Sequence, residues 1–193
     1  MRYDKGRKDQ TRRHILEVAG KRFRESGIEA VGVAALMADA GLTHGGFYSH
    51  FESKEDLVRE ALTEALQGTK TVLAEALREG GLAAMVHVYL HPTHRDNPGH
   101  GCALAALTAE LARRPDETRA TLSNGLQEIA ELIAERLPGD EPKVRLDTAM
   151  AIFGTLLGAL QLARGVTDPV MSDGILESGA QAALVLASGC AHD

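Results

Sequence analysis

Apolar residues recur three and four positions apart along most of this chain, which is the spacing of the buried face of an α-helix. The first such segment ends at Ser26-Gly27, where glycine can adopt the left-handed conformation that closes many helices. Breaks rich in glycine or proline separate the later segments. The predicted helices cover residues 11–26, 33–40, 44–50, 54–79, 82–90, 101–113, 115–137, 143–164 and 169–188. The pattern therefore predicts an all-α protein of about nine helices.

Local turn and capping signals support several of these boundaries. Gly41 turns the chain after the second helix, and Thr43 stands where a side chain can cap the third. Ser53 and Asp56 have the spacing of a capping box, with Asp in place of the preferred Glu or Gln. Two prolines interrupt residues 91–100, which are predicted to form a loop.

The composition and the apolar runs of the chain argue against a secreted or membrane-spanning protein. The two cysteines, Cys102 and Cys190, are too few for a disulfide framework and favour a reducing compartment. Residues 1–13 are charged, so no signal peptide is expected. The longest apolar run, residues 149–160, is too short to cross a bilayer. These features predict a cytoplasmic protein without a membrane partner.

Charge is distributed unevenly along the chain, whose net charge is −6. Residues 1–24 contain nine Lys and Arg against three Asp and Glu, whereas residues 61–193 contain ten against 17. A basic N-terminal segment is typical of a protein surface that binds nucleic-acid phosphates. A solvated helix face with a basic tail would have the same composition and is the alternative.

Residues 33–54 contain the pattern most informative about function. A short apolar helix is followed by a glycine turn and by a second short helix with His, Tyr and Ser at its start. A helix-turn-helix of this kind places the end of its second helix in the major groove of DNA. The segment therefore predicts a DNA-binding protein.

The same region resembles the recognition segment of TetR-family transcriptional repressors. The similarity covers about residues 8–60 and is architectural beyond them; in one departure, Met37 stands where such motifs often have Ala. It is carried by a basic first helix, Phe23, Gly27, Ala40-Gly41-Leu42, Phe47-Tyr48-x-His50-Phe51 and Lys54-Glu55-x-Leu57. The resemblance implies a three-helix DNA-binding domain over residues 1–52 and a helical effector-binding and dimerisation domain over residues 53–193.

Ten residues are predicted to contact DNA. The start of the third helix would present His44, Gly45 and Gly46 to base edges, with His44 as the long polar reader. The resemblance implies phosphate contacts from Tyr48 and His50, and the remaining predicted phosphate contacts come from Thr43, Lys54, Lys8, Arg12 and Arg13. Phe47 and Phe51 are predicted core residues. Two alternatives stay open: Tyr48 either contacts DNA or packs, and His50 either contacts DNA or only caps its helix.

The last two helices predict a homodimer. The helix over residues 143–164 is apolar almost all round and contains Gly154 and Gly158, so it must be covered on every side. Two such helices from each subunit could pair around a two-fold axis, although both could instead lie in a monomer core. The predicted interface residues are Phe153, Leu157, Ile175, Gly179, Ala183 and Leu186.

The resemblance further implies a pocket for a small, mostly apolar effector whose binding moves the recognition helices. The predicted pocket residues are Met85, His87, Tyr89, Cys102, Leu107, Thr108, Leu111 and Phe153, most of which have an ordinary core role as the alternative. No cofactor is predicted.

Cys102 suggests a second kind of effector. A thiol at the start of a helix, with His100 two residues before it, can serve as a redox sensor, or it can be a buried structural thiol. Zinc ligation by Cys102 with His87, His91, His94 and His100 is a weaker alternative, because prolines interrupt the set and no carboxylate completes it. No metal is therefore predicted.

Enzyme signatures are missing from the sequence: it contains no G-x-S-x-G, P-loop or H-E-x-x-H pattern. The sequence predicts a dimeric, non-enzymatic repressor that binds a palindromic operator and is released by a small apolar ligand or a thiol-reactive compound. A constitutive architectural DNA-binding protein is the alternative.

Overall fold

The computed structural model describes residues 2–189, with side chains from residue 6 onward, and this part of the chain is helical without any strand. Cys190 lies outside the described residues. The α-helices are α1 (Arg2–Ser26), α2 (Val33–Asp39), α3 (Lys54–Tyr89), α4 (Pro92–Asp96), α5 (Ala103–Leu111), α6 (Asp116–Ala134), α7 (Pro142–Gly165) and α8 (Pro169–Gly189). Two 3-10 helices cover His44–Ser49 and Pro98–His100. The predicted all-α fold is confirmed.

A pair of glycines divides α3 where the sequence predicts a helix end. Gly80 and Gly81 have non-helical backbone angles, and Gly81 has φ +66° with ψ −158°. Side chains with a Cβ rarely adopt such a conformation, so only glycine is comfortable there. Residues 54–79 and 82–89 are thus separate helical segments, as predicted.

Two local predictions were wrong. Residues 44–50 form a 3-10 helix, His44–Ser49, rather than an α-helix. Residues 91–100 contain α4 and the second 3-10 helix rather than a loop. Pro92 occupies the first turn of α4, where a missing N–H costs nothing, and the His91 ring accepts a hydrogen bond from the Thr93 N–H at 3.2 Å.

The chain divides into two compact units. Unit 1 consists of the chain up to Leu66 together with Pro98–Leu122, and unit 2 consists of Gln67–Asn97 together with the chain from Ser123 onward. The helix-turn-helix region thus shares a unit with α5 and the start of α6. The predicted functional boundary at residue 52 remains a prediction.

In unit 2, α7 packs closely against α8. A Cβ added to Gly179 would collide with the Ala159 side chain, so the two helices approach at a position that requires glycine. By length and composition α7 could cross a membrane, since an 18-residue window has mean hydropathy 1.5; 39% of that window is buried. The expectation drawn from residues 149–160 alone was therefore too narrow, although a core helix of a soluble protein meets the same criterion.

Candidate DNA-binding site

The turn after α2 is set by backbone hydrogen bonds around Gly41. The Leu42 N–H donates to the Met37 carbonyl at 2.8 Å, and the Gly41 N–H donates to the Ala38 carbonyl at 2.9 Å. This is the Schellman arrangement, which requires a left-handed residue after the cap, and Gly41 has φ +70°. The chain therefore leaves α2 in a defined direction toward the 3-10 helix His44–Ser49.

The 3-10 helix is anchored by two phenylalanines. Phe47 and Phe51 are 1% and 2% exposed, and their rings stack with centroids 5.6 Å apart. Their predicted core role is confirmed. Tyr48 meets Phe47 edge to face at 5.2 Å but is 68% exposed. The buried Phe47–Phe51 pair thus fixes the 3-10 helix, and the Tyr48 side chain projects from this helix into solvent.

The residues that precede Tyr48 in the 3-10 helix and at its N-cap are mostly exposed. Thr43, His44 and Gly45 are exposed, whereas Gly46 is half-buried with space for a Cβ at 3.7 Å from the Met37 Cε. Thr43 occupies the N-cap position without a side-chain capping hydrogen bond among the described residues. Its hydroxyl is accordingly available to a ligand.

The start of α3 carries a modified capping box. Ser53 Oγ accepts from the Asp56 N–H at 3.1 Å, as the sequence predicts. The Asp56 carboxylate accepts a hydrogen bond from the Glu52 N–H at 3.2 Å. In a standard capping box the side chain at this position accepts from the N–H of the capping residue, which here is Ser53.

Arg12 and Lys54, both predicted phosphate contacts, bind other groups of the protein. The Arg12 guanidinium pairs with Glu60, donates to the His50 carbonyl at 3.3 Å and lies 4.7 Å from the centroid of the Phe51 ring. Lys54 Nζ donates to the Ile28 carbonyl at 2.6 Å. Both side chains therefore stabilise the helix-turn-helix itself.

Lys8 and Arg13 on α1 are exposed, in contrast to Arg12. His50 is half-buried, and its Nδ1 is buried without a hydrogen-bond partner among the described groups. Burial lowers the pKa of His50, and the positive charges of Lys8 and Arg12 lower that pKa further. These surroundings favour the neutral form of the imidazole in the unbound protein.

A polar cluster from α5 and α6 holds the connector between α1 and α2. One Glu110 oxygen accepts from the N–H groups of Ile28 and Glu29 at 2.9 and 3.0 Å. The Arg114 guanidinium, 13% exposed, pairs with Glu29 and Glu55 at 2.5 and 3.1 Å. We call Glu110, Arg114 and Thr118, whose hydroxyl donates to Glu55 at 2.6 Å, the polar clamp.

The polar clamp could not be predicted from the sequence. Glu110 lies 82 positions from Ile28 along the chain, and no local pattern connects them. Thr118 is fully buried on a helix turn whose neighbours are exposed, which only the tertiary structure shows.

The predicted effector residues fall into both compact units. Met85, Tyr89 and Phe153 are buried in unit 2, where the rings of Tyr89 and Phe153 lie 5.6 Å apart, and His87 is exposed. In unit 1, Cys102, Leu107 and Leu111 are buried, and the Thr108 hydroxyl donates to the Leu104 carbonyl at 2.6 Å. Within residues 6–189 no group of three or more His, Cys, Asp or Glu side chains is arranged to hold a metal ion.

The predicted dimer residues also differ in exposure. Phe153, Gly179 and Ala183 are buried within the chain, whereas Leu157 and Ile175 are half-buried and Leu186 is 37% exposed.

A defined turn, a short recognition helix on a buried aromatic base and a basic neighbouring helix are the features of a helix-turn-helix DNA-binding protein. Residues 15–61 match the model of the family described as bacterial regulatory proteins, tetR family.

Curated relatives of this chain include two repressors. DhaR of Mycobacterium sp. (strain GP1) is 26% identical over 58% of this chain, and the match spans 57% of DhaR. BepR of Brucella suis biovar 1 is 25% identical over 98% of this chain and 82% of BepR.

Solved structures of similar fold include the reduced form of NemR from Escherichia coli, with TM-score 0.74 and 22% identity over 90% of this chain and 95% of NemR. A TetR-family regulator from Streptomyces coelicolor gives TM-score 0.69 and 23% identity over 93% of this chain and 97% of its own. Residues 15–61 therefore form a DNA-binding domain of the tetR family of bacterial regulatory proteins, and the described chain has the fold of TetR-family regulators. Regulators of this family are DNA-binding proteins rather than enzymes, in agreement with the prediction made from the sequence.

Proposed function

We propose that this protein is a cytoplasmic repressor that binds a palindromic operator as a homodimer and is released by a small effector. The observation that carries the DNA-binding part is the exposure of Tyr48 and His44 above the buried Phe47–Phe51 pair. A rigid base that presents polar groups at one helix end suits insertion into a major groove. The relatives DhaR and BepR are named transcriptional repressors, which favours repression over activation.

Within the proposed complex, His44, Gly45 and Gly46 face base edges, while Thr43, Tyr48 and His50 contact phosphates. Lys8 and Arg13 reach flanking phosphates from α1, because both are exposed. Arg12 and Lys54 contribute through the intramolecular contacts that orient His50 and the connector at Ile28. Two such surfaces spaced about one turn of DNA apart would read a two-fold symmetric site.

The proposed dimer forms through an exposed stripe on α7 and α8. On α7 it contains Ala151, Gly154 and Leu162, of which Leu162 is 64% exposed. On α8 it contains Gly174, Ser178, Ala182, Val185 and Leu186. A Cβ added at Gly154 or Gly174 meets nothing within 4 Å, so a second helix can approach closely there. The predicted interface residues Phe153, Gly179 and Ala183 are buried within the chain and do not belong to this exposed stripe.

The predicted effector residues leave little space between them in this conformer. Leu107 and Leu111 line a cavity of about 10 Å³ with residues of α1 and α3 in unit 1, which is space for a single water molecule. Met85, Tyr89 and Phe153 are close-packed in unit 2. Ligand binding would therefore select a state in which these side chains have separated.

A thiol-reactive effector is supported by the surroundings of Cys102. The thiol lies at the N-cap of α5, is 2% exposed, and has the Arg24 guanidinium nearby, whose pKa is lowered by burial. Oxidation or alkylation of a thiol at this helix end would disturb the packing of α5 in unit 1. Access of a reagent requires local opening at the start of α5.

Fluorescence anisotropy with duplexes tiled across the DNA around the gene tests these proposals. We expect tight binding to one symmetric site, and loss of that binding on mild oxidation if Cys102 is the sensor. A Cys102→Ser variant should then bind the site but ignore the oxidant. Selective binding that survives oxidation would leave the apolar effector, and binding without sequence preference would favour the architectural alternative.

A further inference from the structure

An open groove crosses unit 2 between the end of α3, the start of α4 and one side of α8. Its volume is about 320 Å³. The lining includes Leu90, Pro92, Leu176, Ala180, Leu184 and Glu177. We propose that this groove binds a small organic cation with an apolar body. None of the residues predicted for DNA contact takes part in it.

The floor of the groove is apolar and fixed. Leu90, Leu176 and Ala180 are 5%, 4% and 8% exposed. Gly179, next to this floor, brings α8 against Ala159 of α7, and a Cβ built there would lie 3.4 Å from the Leu90 side chain. The floor therefore offers an apolar ligand a surface that needs no rearrangement.

The wall that carries Pro92 is also held in place. Arg164 donates to the carbonyls of His94 and Arg95 at 2.6 and 3.0 Å, so the end of α7 fixes the backbone of α4. The His94 ring is 2.6 Å from the Tyr89 carbonyl and packs edge to face on the Tyr89 ring at 4.9 Å. These contacts pre-organise the groove and lower the entropy cost of binding.

The charge of the groove is negative. Asp173 at one end pairs with Arg95 at 2.6 Å, and Arg95 also pairs with Asp96 at 2.7 Å. Glu177 is exposed on the groove wall and forms no ion pair within residues 6–189. Arg95 can balance only one of the two carboxylates that it contacts, so this end of the groove stays negative, and Glu177 adds a carboxylate, unpaired among the described residues, beside the apolar floor. An apolar monocation complements both features, whereas an anion of the same shape would be repelled.

The groove is distinct from the proposed dimer stripe. The α8 residues that line it are Asp173, Leu176, Glu177, Ala180, Gln181 and Leu184, whereas the stripe uses Gly174, Ser178, Ala182, Val185 and Leu186. Its volume lies within the range of small-molecule sites, about 300–1,000 Å³. A single small cation, rather than a second copy of the chain, is the occupant that fits.

Two probes of nearly the same shape and opposite charge test the proposal. Isothermal titration calorimetry of the full chain without DNA, at pH 8 where ordinary histidines are neutral, compares tetraphenylphosphonium with tetraphenylborate. We expect saturable binding of the phosphonium at one site per chain. Amide NMR shifts should change at residues 87–91 and 173–184. Equal binding of the two ions, or shifts elsewhere, would overturn the proposal.

Variants of Glu177 supply the control for charge. Glu177→Gln should weaken phosphonium binding about threefold to fivefold, as for an exposed ion pair, and Glu177→Lys should reverse the preference between the two ions at the groove. Glu75→Lys makes the same charge change on α3, outside the lining, and should leave phosphonium binding as it is. If Glu177→Lys changes the oligomeric state by light scattering, the groove is a subunit contact and the proposal fails. Because no DNA is present, either result is independent of the proposed repressor function.

Discussion

Tyr48 is 68% exposed although its neighbour Phe47 is 1% exposed, so the aromatic ring is supported while its hydroxyl faces solvent. Replacement by Phe removes only this hydroxyl. We expect Tyr48→Phe to weaken binding to all DNA sequences by about threefold to tenfold, the effect of one hydrogen bond, with the melting temperature unchanged. Anisotropy titrations against specific and random duplexes measure this. Weakening confined to the specific duplex would contradict a phosphate contact.

Arg13 is exposed on α1 and is predicted to reach a flanking phosphate. Each phosphate neutralised by a basic side chain releases counterions, so the loss of one contact changes the salt dependence of binding. Arg13→Ala should reduce the slope of log K against log salt by about one. The matched control is Arg136→Ala, which removes an exposed arginine from unit 2 and should leave the slope unchanged.

His50 predicts a pH dependence of operator binding. Its pKa is lowered in the unbound protein by burial and by Lys8 and Arg12, and a phosphate beside the ring would raise that pKa again. Because the pKa is higher in the complex, protons favour the complex. Affinity should therefore rise as pH falls from about 8 to 6, by up to about tenfold for each unit of pKa change. The same titration with His50→Gln should show a flatter curve; an identical curve would remove His50 from the interface.

At the scale of elements, the polar clamp connects α5 and α6 to the helix-turn-helix within unit 1. Arg114→Ala would remove the positive charge that pairs with Glu29 and Glu55 and leave the largely buried Glu55 only the Thr118 hydroxyl. We expect the free energy of unfolding to fall by about 1–2 kcal/mol and operator affinity to fall with it, because the connector at residues 27–32 loosens.

Arg113 provides the control for this clamp. It is exposed, and Arg113→Ala should change stability by no more than about 0.5 kcal/mol. Urea unfolding of both variants measures the difference. Equal stability of the two variants would show that the clamp does not hold the connector.

Helices were predictable where the signals that begin and end them are local. Gly27 and Gly41 have the left-handed conformation that their positions predict, and Ser53 caps α3. The prediction failed at residues 44–50, where the requirement to bury both Phe47 and Phe51 accompanies the tighter 3-10 winding. No pattern of neighbouring residues records that requirement.

At the scale of the whole molecule, the exposed stripe on α7 and α8 is proposed to hold two chains together. Leu162 is 64% exposed in this stripe, and burying a carboxylate there without a partner is costly. Leu162→Asp should give a folded monomer by light scattering, with helical content unchanged and operator binding strongly weakened. Val72→Asp, at a 50% exposed position on α3, should remain dimeric. A dimeric Leu162→Asp protein would place the interface elsewhere.

The sequence by itself determined the helical class, most helix boundaries and the recognition segment, because periodic burial, glycine conformation and capping act over a few residues. Only the tertiary structure decided which polar side chains are available to a ligand. Arg12 and Arg13 are adjacent, yet Arg12 binds Glu60 and Arg13 is exposed. The polar clamp and the groove beside Glu177 likewise join residues far apart in the chain. Such contacts depend on how distant helices pack, and no local pattern of residue types encodes them.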